Sequence, residues 1–215
     1  MQVQRVEYQG MDIYWSALDL RDSTLVESAQ LSAEEKQKFS EFQSETRKTE
    51  WLAVRAIFNK VFKEKVAIGY EPTGKPFLKD FPNYNISISH TKTIVAIALS
   101  ENFKIGVDVE AVHPRLIKIA DRFLNDSERV LMGSYNTMIE KIKFLTIVWC
   151  AKEALFKIFG SDVDYKNDLK AKQFILSDSG ALVIEHTHNG TTSKYLAEFR
   201  NIDVNNILTW IKDRE

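Results

Sequence analysis

Asp108 and Glu110 stand two residues apart in Gly106-Val107-Asp108-Val109-Glu110, and a third carboxylate, Glu153, lies downstream in Lys152-Glu153-Ala154-Leu155-Phe156-Lys157. Alternation along a strand puts both acids on one face while Ile105, Val107 and Val109 enter a core. Such carboxylates are hard oxygen donors suited to Mg²⁺, which takes few protein ligands and keeps positions for water and phosphate. Three carboxylates converging without a cation would repel one another until one took up a proton. Lys157 falls one turn beyond Glu153 on the same helix face, where an ammonium could neutralise phosphate oxygens. A plainer reading is also open: solvated acids at a strand end, and a Glu153–Lys157 pair worth ~0.2–0.5 kcal/mol.

Other segments offer weaker chemistry. Gly74-Lys75-Pro76 is either a plain turn or a shaped loop whose backbone can approach a ligand. Ser89-His90 brings a hydroxyl and an imidazole to a strand end, although a lone histidine is more often structural. Arg55 lies beside an apolar helical stripe, as an aliphatic packer or as a buried phosphate clamp. Neither a Walker loop nor a G-x-S-x-G elbow occurs.

The elements that must position these residues follow from periodicity. Ile13 to Leu20 reads as a strand. Ser32-Ala33-Glu34-Glu35 is a capping box opening a helix through about Phe42. Trp51, Val54, Phe58, Val61 and Phe62 recur at helical spacing, giving a helix over roughly Arg47 to Phe62. Pro72 and Gly74 make Tyr70 to Pro76 a loop. Asn85–Ser89 and Ile94–Leu99 pair around His90-Thr91-Lys92-Thr93. Pro114 suits the first turn of a helix toward Ala120. A helix over about Glu140 to Phe159 is apolar on several faces and therefore central, with Gly160 as its stop. The rest reads as a meander of Phe174–Leu176, Leu182–Glu185, Tyr195–Phe199 and Ile207–Ile211, with turns at Asp178-Ser179-Gly180 and Asn189-Gly190. Each half thus offers one long helix and several strands. The expected architecture is α+β in two similar halves, residues 1–102 and 103–215.

Composition narrows the class. The 215 residues carry 29 basic and 30 acidic side chains, so no global positive field marks a nucleic-acid binder. Cys150 is the only cysteine, which excludes an internal disulfide and a multi-cysteine zinc site. Nothing at the N-terminus reads as a signal peptide, and no apolar run approaches the ~18 residues of a membrane span. The expectation is a cytoplasmic protein that engages neither membrane nor nucleic acid.

Taken in order, the motifs resemble the 4′-phosphopantetheinyl transferases, in the larger two-lobed type related to the surfactin-synthetase activator. The resemblance runs through Arg47 with Glu50-Trp51-Leu52-Ala53-Val54-Arg55, then Gly74-Lys75-Pro76, Ile88-Ser89-His90, Gly106 to Glu110, and Trp149 to Lys157. It implies two pseudo-symmetric lobes, each a small, mostly antiparallel sheet with a long helix, and an active site in the cleft between them. It further implies transfer of the phosphopantetheine arm of coenzyme A to a serine of an apo acyl or peptidyl carrier protein, with release of adenosine 3′,5′-bisphosphate, by a monomer. Asp108, Glu110 and Glu153 would hold Mg²⁺, Glu153 would act as base, and Lys157 would contact the pyrophosphate. Gly74, Lys75, Pro76, Ser89 and His90, with Arg55, would bind the 3′-phosphate end. Glu128 would lie near the site, and Arg115, Lys118, Arg122 and Arg129 could meet an acidic carrier. Cys150 stands where the family often has threonine, and Thr91 where serine is common after Ser-His. Two alternatives stay open: a Mg²⁺-dependent phosphodiesterase or nuclease, and a non-catalytic module binding coenzyme A or a carrier.

Overall fold

The structure is a computed structural model that describes residues 1–160 and 163–213. The chain divides into two compact units, Met1–Asn102 and Phe103–Glu215.

The first unit runs β1 (Gln4–Tyr8), β2 (Met11–Ala17), α1 (Leu25–Ala29), α2 (Ala33–Glu41), α3 (Glu45–Phe62), β3 (Ile68–Tyr70), β4 (Pro76–Leu78), β5 (Asn85–His90) and β6 (Ile94–Ser100). Its main sheet is antiparallel, in the order β1-β2-β6-β5, and β3 pairs with β4 separately. Central β6 is buried along its whole length, which is why Ile94 to Leu99 is a continuous apolar run rather than an alternation. Ser32 caps α2 as expected: its hydroxyl accepts from the Glu35 N–H and the Glu35 carboxylate accepts from the Ser32 N–H. Every residue of α3 from Thr49 to Asn59 is buried, and Trp51, Ala53, Ile57 and Phe58 form a core with Val95, Ile97 and Leu99 of β6.

The second unit runs β7 (Ile105–Ala111), α4 (Arg115–Phe123), α5 (Asp126–Gly133), α6 (Met138–Phe159), β8 (Leu169–Ala171), β9 (Ser179–His188), β10 (Thr191–Asn201) and β11 (Asn206–Lys212). The sheet order is β7-β11-β10-β9-β8, antiparallel throughout. Helix α6 packs on β7 and β11, and its Phe144, Leu145, Val148, Ala151 and Leu155 join Ile184, Ala197, Phe199 and Ile207 in one core. Asn189 and Gly190, both at positive φ (49° and 77°), turn the β9–β10 hairpin. The α+β expectation, with antiparallel sheets and long helices, is therefore what the chain adopts.

Two local expectations fail. Phe174–Leu176 is no strand: Phe174 stacks on Phe144 with centroids 5.6 Å apart, and the short strand falls earlier, at Leu169–Ala171. Ser179 and Gly180 open β9 rather than form a turn.

Gly106 decides how closely β7 and α6 approach. A Cβ built there would lie 1.8 Å from the Ala154 carbonyl oxygen, a backbone atom that cannot swing aside. Gly106→Ala should push strand and helix apart and destabilise the unit by about 3 kcal/mol. Gly133→Ala, at an α5 position where a Cβ meets nothing within 4 Å, should leave stability unchanged or slightly raised. Urea unfolding of the two variants side by side reads the difference. Equal midpoints would mean that the close approach is not required.

Candidate functional site

In β7 the glycine and the two acids share the face covered by α6. Gly106 meets the helix backbone, Lys157 Nζ donates to Asp108 Oδ1 at 2.8 Å, and Trp149 Nε1 donates to Glu110 Oε1 at 3.0 Å. Trp149, Glu153 and Lys157, four residues apart, form one row along α6 facing the strand. The expected alternation holds, and both of its faces are covered. Ile105, Val107 and Val109 are buried on the opposite face, but the acids also lie under a helix, and Asp108 is only 5% exposed.

Burial and like charge shape this group. Glu153 is pushed up to about 7, first by desolvation and then by the charge of Asp108, with Lys157 and a hydrogen bond to Tyr165 opposing. Glu110 is raised by the same two causes, desolvation first, against Trp149 and Arg115. Glu110 and Glu153, both raised in part by the charge of Asp108, form with it a donor set a cation would relieve. They are not gathered in advance: among the described residues no three His, Cys, Asp or Glu side chains are clustered as metal ligands. Arg115 Nη2 donates to Glu110 Oε2 at 2.7 Å, and Lys157 Nζ bonds the Val107 carbonyl as well as Asp108, each at 2.8 Å. The chemistry of the donors fits Mg²⁺, and loading would require Arg115 and Lys157 to yield oxygen atoms they now hold.

Neighbouring charges on the same helix do different work. Lys152 is fully buried, and its Nζ donates to Glu128 Oε2 (2.8 Å) and to the carbonyls of Phe123 (2.7 Å) and Tyr165 (2.8 Å). Glu128 also accepts from the Ala171 N–H at 2.6 Å and the Asn125 N–H at 2.9 Å. Glu128 is thus a buried cap and ion-pair partner, not a residue of the acidic site. The basic row after β7 is also partly engaged: Arg115 holds Glu110 and Arg129 pairs with Asp121, while Lys118 and Arg122 are exposed.

The other predicted residues lie in the first unit. Arg47, Glu50, Trp51, Val54, Arg55, Tyr70, Gly74, Pro76, Ile88 and His90 line a pocket of 180 Å³. Gly74 has φ +87°, a conformation glycine adopts at little cost, and its N–H closes a turn on the Glu71 carbonyl at 2.8 Å. That turn joins β3 to β4 and sets Pro76 at the rim. Lys75 and the buried Ser89 are not among the lining residues. Arg55 is 3% exposed, stacks 3.2 Å from the Trp51 ring centroid and donates to Glu35 Oε1 at 2.7 Å. Burial lowers its proton affinity. A clamp role would require it to leave Glu35.

Sequence reasoning assigned no site role to several residues that shape these sites, and gave Arg115 only a carrier-facing one. Trp149 and Arg115 bind Glu110, Tyr165 bonds Glu153 and stacks on Trp149 (5.4 Å between centroids), and Arg47 and Glu50 contact His90. The four-residue spacing from Trp149 to Glu153 could have revealed the first. Tyr165 leaves no local signal, because its contacts span a loop.

Comparison with known proteins bears on this geometry. Residues 104–207 match the family model of the 4′-phosphopantetheinyl transferase superfamily. That stretch contains β7, all of α6 and Tyr165. Among curated proteins, the chain is 26% identical over 117 residues to 4′-phosphopantetheinyl transferase psf-1 of Bacillus pumilus, covering 53% of this chain and 49% of that protein. It is 26% identical over 125 residues to 4′-phosphopantetheinyl transferase Sfp of Bacillus subtilis strain 168, covering 54% and 53%. To 4′-phosphopantetheinyl transferase gsp of Aneurinibacillus migulanus it is 33% identical over 87 residues, covering 40% and 35%. The chain spans about half the length of the first two, and about a third of the last. Over residues 104–207, just under half of the chain, the sequence is thus similar to the 4′-phosphopantetheinyl transferase superfamily, and the curated relatives it resembles there include transferases of surfactin-activator type.

Proposed function

We propose that the protein transfers the 4′-phosphopantetheine arm of coenzyme A to a serine of an apo acyl or peptidyl carrier protein. The observation that carries this reading is the superfamily match over residues 104–207, which includes Asp108, Glu110, Glu153 and Lys157 together. In the reaction, the serine oxygen forms a bond to the phosphorus that bears pantetheine. The bond from that phosphorus to the adenosine 5′-phosphate oxygen breaks, and adenosine 3′,5′-bisphosphate leaves. The serine proton passes to a base.

Asp108, Glu110 and Glu153 would hold Mg²⁺, which when bound supplies charge neutralisation on the pyrophosphate. Glu153 is suited to accept the serine proton, directly or through an ordered water, because burial already favours its protonated form. Lys157 is held against Asp108, where its ammonium can be shared with a pyrophosphate oxygen. The pocket of the first unit, with Gly74, Pro76 and His90 in its lining, is assigned to the adenosine 3′-phosphate end, assisted by Lys75 and Ser89. Lys118 and Arg122 are the cations left to attract an acidic carrier. The reading places the protein in the cytoplasm, with its coenzyme A supply. No helix among the described residues is long and apolar enough to cross a membrane.

A second reading, a non-catalytic module for coenzyme A or a carrier, draws on the pairing of Asp108 with Lys157 and the lack of a ready metal cluster among the described residues. Chromatography of mixtures with coenzyme A and Mg²⁺ separates the two. Adenosine 3′,5′-bisphosphate should accumulate only when an apo carrier is present, one molecule per carrier. Coenzyme A binding with no nucleotide release across fatty-acid, polyketide and nonribosomal-peptide carriers would establish the module instead.

A further inference from the structure

Glu50 is a carboxylate where the proposed ligand calls for cations. It is buried on α3, in the wall of the pocket that also holds Arg47, Arg55 and His90. A carboxylate withdrawn from water is costly unless paired, so its partners indicate its role. Glu50 Oε1 lies 3.2 Å from His90 Nδ1, and Oε2 lies 3.5 Å from Arg47 Nη1. Arg47 Nη1 closes the triangle, 3.0 Å from His90 Nε2. Arg47 and Glu50 come from one helix, and His90 from the end of β5.

Donor and acceptor capacities fix the proton in this triangle. A guanidinium only donates, so His90 Nε2 must offer its lone pair to Arg47. The neutral imidazole then carries its proton on Nδ1, facing the Glu50 carboxylate. Both Arg47 contacts fall on Nη1, so its Nε and Nη2 hydrogens take no part in the triangle. A planar fork of this kind matches a phosphate edge.

We infer that Glu50 is a positioning residue. It anchors the Nδ1–H imidazole that donation from Arg47 to Nε2 requires, and the two side chains bracket Nη1 of Arg47, so that the guanidinium edge is presented to a phosphomonoester. The inference rests on assigning this pocket to the 3′-phosphate of coenzyme A. It gives His90 the role of orienting the arginine, and it explains why a buried acid belongs in an anion pocket.

The test pairs imidazole ¹⁵N NMR with calorimetry on the intact protein, using adenosine 3′,5′-bisphosphate and adenosine 5′-monophosphate as probes. The native protein should show His90 as the Nδ1–H tautomer and prefer the bisphosphate. Glu50→Gln keeps an oxygen acceptor, so the tautomer should persist and bisphosphate affinity should stay within about threefold. Glu50→Leu should leave the imidazole unanchored and weaken the bisphosphate about tenfold, with the monophosphate unchanged. A native protein without the Nδ1–H form, or a Glu50→Leu protein that weakens less than threefold, overturns the inference. So does Glu50→Gln binding the bisphosphate tenfold more tightly, the result expected of a carboxylate that only repels the anion; this arm decides if the leucine variant does not fold. A native protein that binds both probes equally defeats the pocket assignment, and the tautomer then still reports on the bracket.

Discussion

Asp108→Ala is expected to lower phosphopantetheinyl transfer by at least about 10³-fold while the far-ultraviolet circular dichroism stays native. Asp108 occupies the centre of the acidic group: its charge raises the proton affinity of both Glu110 and Glu153, and it takes a hydrogen bond from Lys157. Without it, a divalent cation loses one of three anionic donors and Lys157 keeps only the Val107 carbonyl of its two bonds. The first loss falls on the transition state, where charge on the pyrophosphate is greatest. The second falls on stability and is modest, since Lys157 is a quarter exposed and water can replace the carboxylate. Asp108→Asn separates the two. It preserves shape, so folding should be close to native while transfer is still lost. An asparagine variant with more than a tenth of native activity would show that the carboxylate charge is not used.

Glu128→Ala should behave in the opposite way, with folding damaged and chemistry intact. Removing it leaves the fully buried Lys152 ammonium with only carbonyl partners and strips the Ala171 N–H of its acceptor. Breaking a buried pair in this manner costs ~3–5 kcal/mol. Replacing both partners by apolar residues of similar volume, Glu128→Leu with Lys152→Met, should recover most of that loss, because no charge is then stranded. Chemical denaturation measures the cycle, and transfer per folded molecule should remain near native in each variant that folds. A single variant with native stability, or a folded Glu128→Ala protein without activity, would return Glu128 to the acidic site.

Much of this molecule was readable from local pattern. Where the signal is short-range, as in the Ser32–Glu35 box, the apolar run of β6 or the Asn189-Gly190 turn, element and cause agree. Strand β1 escaped because Gln-Arg-Val-Glu-Tyr is mostly polar, as an edge strand can be. Helix α5 escaped for another reason. Asn125 and Glu128 form a capping box, whereas Glu128 enters the sequence reading only through the family resemblance. The acids of β7 and the Glu153–Lys157 row were legible because both follow a period. What α6 does to them was not, since the contact between Gly106 and Ala154 joins residues 48 apart in the chain. Tyr165 acquires meaning only from partners that the fold brings near, and Glu50 chiefly from His90, 40 residues away in the chain. Their own sequence neighbourhoods carry no sign of these distant partners.

The most direct test of the account is the intact mass of an apo carrier protein incubated with this protein, coenzyme A and Mg²⁺. Transfer predicts a gain of ~340 Da, the mass of one phosphopantetheine arm, that disappears with chelator and with Asp108→Ala. Carriers of all three classes emerging at unchanged mass, from a protein shown to bind coenzyme A, would contradict it.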